Sequence, residues 1–279
     1  MPLTRDEINR RLRQETSERR ALFDAFCGTG ITAKMAARGG ADMVTTHVLA
    51  YFRMQGLSSM AGYMPIGDAN AITLEQGERF VVNVVSQCPV MAGIFAADPT
   101  RDMKAFIGKL VDVGYDGIMN CPTVALIDGK FRQDLEDTGI GYQREVETLG
   151  HASAQGIFTK AFCTSVDEAL AMASVGVDNL IIHFGNSSGG TIGSKTVLNY
   201  ADAVARTQTI CSALRSEFPE TIITVHGGFI ETPADFAALL EKEPRLDGYV
   251  GGSSAERFPI EASVPDAARS FKSVVLPRT

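Results

Sequence analysis

Two stretches decide the fold: VHGGFIETP at residues 225–233 and DGYVGGSS at residues 247–254. In each of them a short apolar strand ends in a pair of glycines, and the glycines lead into the start of a helix. Glycine lets a backbone approach a ligand closely, and a helix N-terminus offers free N–H groups and a partial positive charge. The two stretches therefore predict an anion-binding site, of the kind that the loops after strands seven and eight build in a (βα)8 barrel.

Six further pairs of strand and helix precede these stretches, as such a barrel requires. Short apolar runs bounded by Gly, Pro or charged residues predict the strands. The six preceding strands lie at 21–27, 42–48, 89–96, 115–121, 157–163 and 179–184, and the last two strands lie at 221–225 and 248–250. The segments between them predict helices, of which one begins at Asp98 and Pro99, and the stretches 51–70 and 122–141 are predicted to be long loops. No G-x-G-x-x-G motif is present, so the sequence argues against a dinucleotide-binding sheet and predicts no nucleotide cofactor.

Residues 1–20 predict an amphipathic helix that precedes the barrel. Thr4 can cap this helix, and Ile8 and Leu12 form a thin apolar stripe among charged residues. We therefore expect an N-terminal helix at 1–20 and a single α/β domain, a (βα)8 TIM barrel, at 21–279. The stripe predicts that the helix lies across the bottom of the barrel or against another subunit, and we expect a homo-oligomer.

Composition narrows the class of protein. The 279 residues carry a net charge of −7, which argues against a nucleic-acid partner because phosphate binding relies on clustered Lys and Arg. The five cysteines form no CxxC pair, which fits a reducing cytosol. There is no signal sequence and no apolar run of 18 residues, so we expect a cytoplasmic protein with no membrane partner.

Candidate catalytic residues lie where the strands end, because barrels carry their chemistry at the carboxyl ends of their strands. This rule selects Asn120 after the fourth strand, His183 after the sixth and Asp98 after the third. Lys34, one turn into the first barrel helix, could reach an anionic substrate. Structural alternatives exist: Asp98 can cap a helix, and Lys34 can be an ordinary surface lysine. Lys160 lies inside the fifth strand, where burial would favour a neutral amine able to form a Schiff base.

Several motifs together resemble the phosphoenolpyruvate hydrolase-like TIM-barrel family. They include GTGITAK at 28–34, FRM at 52–54, GDANA at 67–71, PTV at 122–124, LIDG at 126–129 and GSSAER at 252–257. The family is also similar to the C-terminal half of a plant tobamovirus-resistance protein. The resemblance implies a barrel related to the phosphoenolpyruvate mutase and isocitrate lyase superfamily, whose members make or break C–C or P–C bonds in 2-oxo acids, usually with Mg²⁺.

The leading hypothesis is an enzyme that cleaves or hydrolyses a C–C or P–C bond in a small anionic 2-oxo or β-oxo acid. Backbone N–H groups would hold the carboxylate or phosphate of this substrate, at Gly227, Gly228, Gly252, Ser253, Ser254 and Gly190. Asn120 and His183 would polarise a carbonyl or stabilise an enolate. Asp98 or Glu145 would hold a metal or act as a base, and Lys34 would neutralise the substrate.

Two alternatives remain open at this point. The first is a Schiff-base aldolase that uses Lys160. The second is a non-catalytic barrel that binds a metabolite or a protein partner, as the resemblance to a resistance protein allows.

Overall fold

The computed structural model describes residues 2–277 and forms a closed barrel of eight parallel strands. The strands are β1 (Leu22–Phe26), β2 (Met43–Thr46), β3 (Val90–Ile94), β4 (Gly117–Asn120), β5 (Phe158–Cys163), β6 (Asn179–His183), β7 (Ile222–His226) and β8 (Gly248–Gly251). Each strand pairs with the next in the sequence, and β8 pairs with β1 to close the barrel. The predicted (βα)8 architecture is therefore confirmed.

Eleven α-helices are found in the described part of the chain. They are α1 (Arg5–Ser17), α2 (Gly30–Arg38), α3 (Val48–Met54), α4 (Ala69–Gln76), α5 (Met103–Val113), α6 (Gly129–Asp137), α7 (Tyr142–Ala154), α8 (Val166–Ser174), α9 (Tyr200–Glu217), α10 (Pro233–Lys242) and α11 (Arg257–Lys272). None of the helices within residues 2–277 combines the length and apolar character needed to span a bilayer.

Three local predictions differ from the structure. Helix α3 extends over residues 51–54 of the first segment that was predicted to be a long loop, and α6 lies inside the second. The helix after β3 begins at Met103 and not at Asp98, because the Asp102 carboxylate accepts the N–H groups of Lys104 and Ala105 and so caps it. Asp98 instead accepts the N–H of Thr100, within the loop before the helix.

The interior of the barrel is filled in levels. At the bottom, Ile8 and Leu12 of α1 pack against Leu22, Met43, Met91, Phe158 and Ile222, so the N-terminal helix closes this end. In the middle, Lys160 forms a buried ion pair with Asp24. Above that pair, Phe26 and Phe162 form an apolar level with the side chains that surround them. This apolar level is the floor of the open end of the barrel.

Candidate active site

A cleft opens at the carboxyl ends of the strands, directly above Phe26 and Phe162. The space between its atoms, with open solvent at its mouth included, amounts to about 580 Å³. The residues that line it are Phe26, His47, Leu49, Arg53, Ser58, Ser59, Cys121, Phe162, His183, Asn186, Ser187, Ile192, His226, Gly252, Ser253 and Arg257. The cleft therefore combines an aromatic floor with polar and cationic walls, at the position where barrel enzymes carry their active sites.

Three histidines converge on this floor. The parallel register pairs His183 at the end of β6 with His226 at the end of β7, and their ring centroids lie 4.9 Å apart. His47 follows β2 and packs edge-on against Phe26 with a centroid distance of 4.7 Å. Phe162 contacts the ring of His183 at 4.4 Å in the same manner. The two phenylalanines thus hold the imidazole rings in fixed planes.

Hydrogen bonds define which nitrogen of each histidine carries the proton. The Nδ1 of His226 lies 2.7 Å from the carbonyl oxygen of Val250, which can only accept, so this Nδ1 is protonated and Nε2 is free to accept. The Nδ1 of His183 accepts the N–H of Gly185 at 2.8 Å, and the Nδ1 of His47 accepts the N–H of Ala50 at 3.3 Å. In their neutral forms, His183 and His47 therefore carry the proton on Nε2 and can donate it.

All three imidazoles are neutral near pH 7. Burial lowers the pKa of His226 to about 4, with a smaller contribution from the positive charge of Arg53. Burial also lowers the pKa of His47 and of His183 well below the usual range. The Nε2 of His47 is buried and has no hydrogen-bond partner among the described residues. The cleft thus presents one base and two neutral donors.

Two buried arginines line the wall of the cleft. Arg53, on α3, donates through Nη2 to the carbonyl of Phe26 at 2.9 Å and to the carboxylate of Glu256 at 2.7 Å. Arg257, at the start of α11, donates to Glu261 and to the carbonyl of Gly189, each at 3.1 Å. The Nε atoms of both arginines are buried without a partner in the described structure. Each guanidinium therefore retains a donor that no described group of the protein accepts.

Among the predicted catalytic residues, the structure places His183 in the cleft. Asn120 is fully buried outside the lining, where its amide donates to Glu145 at 2.7 Å and to Thr123 at 3.2 Å. Glu145 also accepts the N–H of Val124 at 2.7 Å, and burial raises its pKa to about 7. These contacts brace the loop after β4, and neither side chain contributes to the cleft surface.

The other predicted catalytic residues also lie elsewhere. Asp98 lines a separate groove, where it accepts from Asn70 at 2.9 Å and pairs with Arg101 at 2.5 Å. Lys34 is exposed on α2. Lys160 lies beneath the floor, with its ammonium 5.4 Å from the ring centroid of Phe26 and bonded to Asp24 and Thr45. The structure therefore brings none of these three side chains to the three histidines.

Two of the predicted anion-binding residues, Gly252 and Ser253, line the cleft. Gly228 donates its N–H to the carbonyl of Gly185 at 3.0 Å, so the structure gives this donor another acceptor. Gly227 has φ of 82°, and a Cβ there would lie 2.1 Å from the same carbonyl. These two glycines are thus explained by the close approach of the loops after β6 and β7.

The remaining two predicted anion-binding residues also have partners within the protein. The hydroxyl of Ser254 lies 2.9 Å from that of Tyr249. A Cβ on Gly190 would lie 2.0 Å from Nη1 of Arg257, so this glycine makes room for the guanidinium. Anion binding through the N–H groups of the six residues stays a prediction.

Sequence reasoning missed the arginines. Both occur in the motifs that carry the family resemblance, Arg53 in FRM at 52–54 and Arg257 in GSSAER at 252–257. Neither lies at the end of a strand, because Arg53 is on α3 and Arg257 is the first residue of α11. A rule limited to strand ends therefore could not select them.

Comparison with solved structures finds the same fold. A phosphonopyruvate hydrolase in complex with oxalate and Mg²⁺ superposes with a TM-score of 0.62 and 15% sequence identity, covering 99% of this chain and 93% of that one. A 2,3-dimethylmalate lyase, described as a member of the phosphoenolpyruvate mutase/isocitrate lyase superfamily, gives a TM-score of 0.61 and 14% identity over 98% and 90% of the two chains. At these identities the similarity establishes the fold.

The side chains of the cleft do not match the ligand preference of Mg²⁺, the ion bound in that hydrolase complex. Mg²⁺ is bound in proteins by one or two carboxylates together with water and substrate oxygens. Among the described residues that line the cleft there is no Asp or Glu. Likewise, no cluster of three or more His, Cys, Asp or Glu side chains suited to a metal is found within residues 2–277. The described side chains of the cleft contribute imidazole, guanidinium, amide, hydroxyl and thiol groups.

Sequence comparison defines the family. The tomato (Solanum lycopersicum) ToMV resistance protein Tm-1 is 39% identical over 97% of this chain, and a putative transcriptional regulatory protein of Sinorhizobium fredii is 34% identical over 91%. The chain spans only 36% and 41% of the lengths of these two relatives. The model of the family described as phosphoenolpyruvate hydrolase-like matches residues 7–274. The chain therefore belongs to the phosphoenolpyruvate hydrolase-like family.

Proposed function

We propose that the chain is an enzyme that cleaves a C–C or P–C bond in a small anionic 2-oxo or β-oxo acid, directly or by hydrolysis. The observation that carries this proposal is the arrangement of the three histidines, in which one neutral imidazole accepts a proton while two others donate. A cleavage that leaves an enolate needs this combination, because it requires a base and donors positioned where negative charge develops.

The acid group of the substrate would bind against Arg53 and Arg257 in the wall of the cleft. The unpartnered Nε atoms of Arg53 and Arg257 are suited to carboxylate oxygens, since guanidinium and carboxylate form charge-assisted hydrogen bonds. The backbone of Gly252 approaches the same place, because a Cβ there would lie 3.5 Å from Nη1 of Arg53 and 3.0 Å from Cε1 of His226. The acid group and the base are therefore adjacent.

In the reaction that we propose, Nε2 of His226 takes the proton of a hydroxyl group, which belongs to the substrate or to a water molecule. As the new carbonyl or P–O bond forms, the C–C or P–C bond breaks and its electrons move into the neighbouring 2-oxo group. The enolate oxygen accepts hydrogen bonds from Nε2–H of His183 and of His47. The proton held by His226 then returns to the enolate carbon and completes the product.

The test is a screen of small 2-oxo and β-oxo acids for bond cleavage, with pyruvate or the corresponding keto product measured by a coupled assay. The informative variant is His226→Gln, which keeps a polar side chain and removes the basic nitrogen. We expect kcat to fall by about 10²- to 10⁴-fold, the usual contribution of a general base. A His226→Gln variant with unchanged kcat would remove this histidine from the mechanism.

His151→Gln provides the matched control. This histidine is on α7 and lines a different surface depression, between α5 and α7. Borohydride treatment with substrate tests the Schiff-base alternative at Lys160. We expect no covalent adduct, since this lysine lies beneath the aromatic floor in an ion pair with Asp24.

A second function, a barrel that binds a metabolite or protein without catalysis, is supported by the descriptions of the relatives as a virus-resistance protein and a putative transcriptional regulatory protein. One measurement distinguishes the enzyme from the binding-only barrel. A binding-only barrel would retain the acid after prolonged incubation, and the acid could be recovered unchanged from the complex.

A further inference from the structure

We infer that the cleft binds a small dicarboxylate directly through Arg53 and Arg257, and that this binding needs no divalent cation. The inference rests on the proposed function only for the chemical class of the ligand. It departs from the hydrolase complex in which oxalate is bound together with Mg²⁺.

The first argument concerns two buried carboxylates, one that pairs with Arg53 and one below the floor of the cleft. Glu256 is buried, and both of its oxygens already accept strong donors: Oε1 accepts the N–H of Gly28 at 2.7 Å and the hydroxyl of Thr32, and Oε2 accepts Nη2 of Arg53. A metal at Glu256 would have to displace these donors. In the level below, Asp24 is bonded to Lys160 and Thr45 beneath the phenylalanines. Neither carboxylate is free to ligate an ion in the cleft.

The second argument concerns buried donors of the residues that line the cleft. The side chains of Arg53 and Arg257 are only 5% and 6% exposed, and the Nε of each has no hydrogen-bond partner in the described structure. Leaving a buried N–H of a charged group without an acceptor is unfavourable, and bound carboxylate oxygens would remove that cost. The unpartnered Nε2 of His47 adds a third buried donor. All three donors suit an anion, and none of them can bind a cation.

The third argument concerns the proton state of the histidines. An imidazole that carries its proton on Nε2 has no lone pair there, and the Nδ1 atoms of His47 and His183 are occupied by backbone N–H groups. His226 alone keeps a free lone pair, on Nε2. One available nitrogen does not make a metal site. The cleft therefore offers guanidinium groups, and no metal site, for binding a dicarboxylate.

The experiment is calorimetric titration of the full chain with oxalate, after exhaustive treatment with a chelator and again with excess Mg²⁺. We expect the same dissociation constant in both conditions, within about twofold. Arg257→Gln should weaken oxalate binding by about tenfold or more, the loss expected for a charge-assisted contact of about 1.4 kcal/mol. Binding of oxalate only when Mg²⁺ is present would overturn the inference, and so would the absence of binding in both conditions.

Two further variants guard against misfolding and against nonspecific charge effects. Arg53→Lys keeps a positive charge beside Glu256 but loses Nε, so we expect a folded protein with weakened oxalate binding. Arg101→Gln removes an arginine whose side chain is 26% exposed, in the separate groove that contains Asp98, and we expect oxalate to bind this variant as it binds the wild type. If Arg101→Gln weakens oxalate binding as much as Arg257→Gln does, the effect comes from the overall charge of the protein and the inference is overturned.

This experiment separates the inference from the proposed function. If the chain binds oxalate without metal but cleaves no 2-oxo or β-oxo acid, the proposed reaction fails and the inference stands. If cleavage is observed and oxalate binds only with Mg²⁺, the inference fails and the reaction stands.

Discussion

The buried ion pair between Arg53 and Glu256 provides the sharpest test of how this cleft is built. We consider the substitution Glu256→Gln, which keeps the shape of the side chain and removes its charge. In the wild type, the carboxylate of Glu256 neutralises a guanidinium that is 5% exposed and also accepts the N–H of Gly28 at 2.7 Å. In the variant a glutamine oxygen can still accept from Gly28, but the charge of Arg53 loses its partner.

The expected cost follows from that unpaired charge. Removing one member of a buried pair typically destabilises a protein by about 3–5 kcal/mol. We expect the lower end, about 3 kcal/mol, because Arg53 keeps its bond to the carbonyl of Phe26 and borders an open cleft. For a domain of this size that corresponds to a fall in melting temperature of roughly 6–12 °C. Urea unfolding and differential scanning calorimetry measure the two quantities.

Glu220→Gln serves as the control for this experiment. Its ion pair with Arg13 is on the surface, with the two side chains 80% and 48% exposed, so its loss should cost less than about 1 kcal/mol. The double variant Arg53→Met/Glu256→Gln should recover part of the loss, since no unpaired charge then remains. A cost below about 1 kcal/mol for Glu256→Gln alone would refute the description of Arg53 as a buried charge that depends on its partner.

Three other predictions concern the cleft and its surroundings. Gly252→Ala should weaken oxalate binding by about tenfold with little change in melting temperature, because the new Cβ would lie 3.0 Å from Cε1 of His226, at the cleft surface. Burial raises the pKa of Glu145 from its ordinary value of 4.5 to about 7 in the folded state. The stability that protonated Glu145 contributes is therefore fully present below pH 4.5 and is lost as the pH rises to 7. The unfolding free energy of the wild type, compared with that of Glu145→Gln, should therefore fall by roughly 3 kcal/mol over this window, and an increase would contradict the assignment. Finally, kcat/KM for a cleaved acid should be constant near neutrality and fall as the pH approaches 4, because protonation of His226 removes the base; a fall already centred near pH 7 would point to another group.

The barrel could be predicted from the sequence because its strands are short apolar runs that repeat with helical segments between them. The run at 89–96 contains β3 and the one at 157–163 contains β5, and in both the apolar character reflects burial on both faces. The two missed helices had weaker signals. Helix α3 is capped by the ring of His47, which is not a typical capping residue, and α6 is a mostly polar helix with no buried side chain.

The site was only partly predictable, for a reason that lies in the geometry of barrels. The rule of strand ends selected His183 because the residue that closes a strand points into the mouth. The same rule also selected Asn120, whose side chain turns away from the mouth to bind Glu145 and the backbone of Phe162. Arg53 lies on α3 and not on a strand, and only the folded structure places its side chain in the wall of the cleft. The direction in which a side chain points and the distance between a helix and the cleft both depend on tertiary structure, so a local sequence pattern does not predict them.

The arrangement of charge in the cleft separates the binding of an acid from the transfer of a proton. The positively charged guanidinium groups of Arg53 and Arg257 are suited to hold the anion, while the proton transfer is assigned to His226. Burial, together with the positive charges of Arg53 and Lys160, lowers the pKa of His226 and keeps its imidazole neutral in the free protein. A bound carboxylate would offset that positive charge and raise the proton affinity of the same imidazole. His226 would therefore become a stronger base when the acid is bound. Binding of the substrate would thus bring the pKa of His226 closer to neutral pH. The pKa seen in kcat should consequently lie above the pKa seen in kcat/KM, since the first reports the complex and the second reports the free protein.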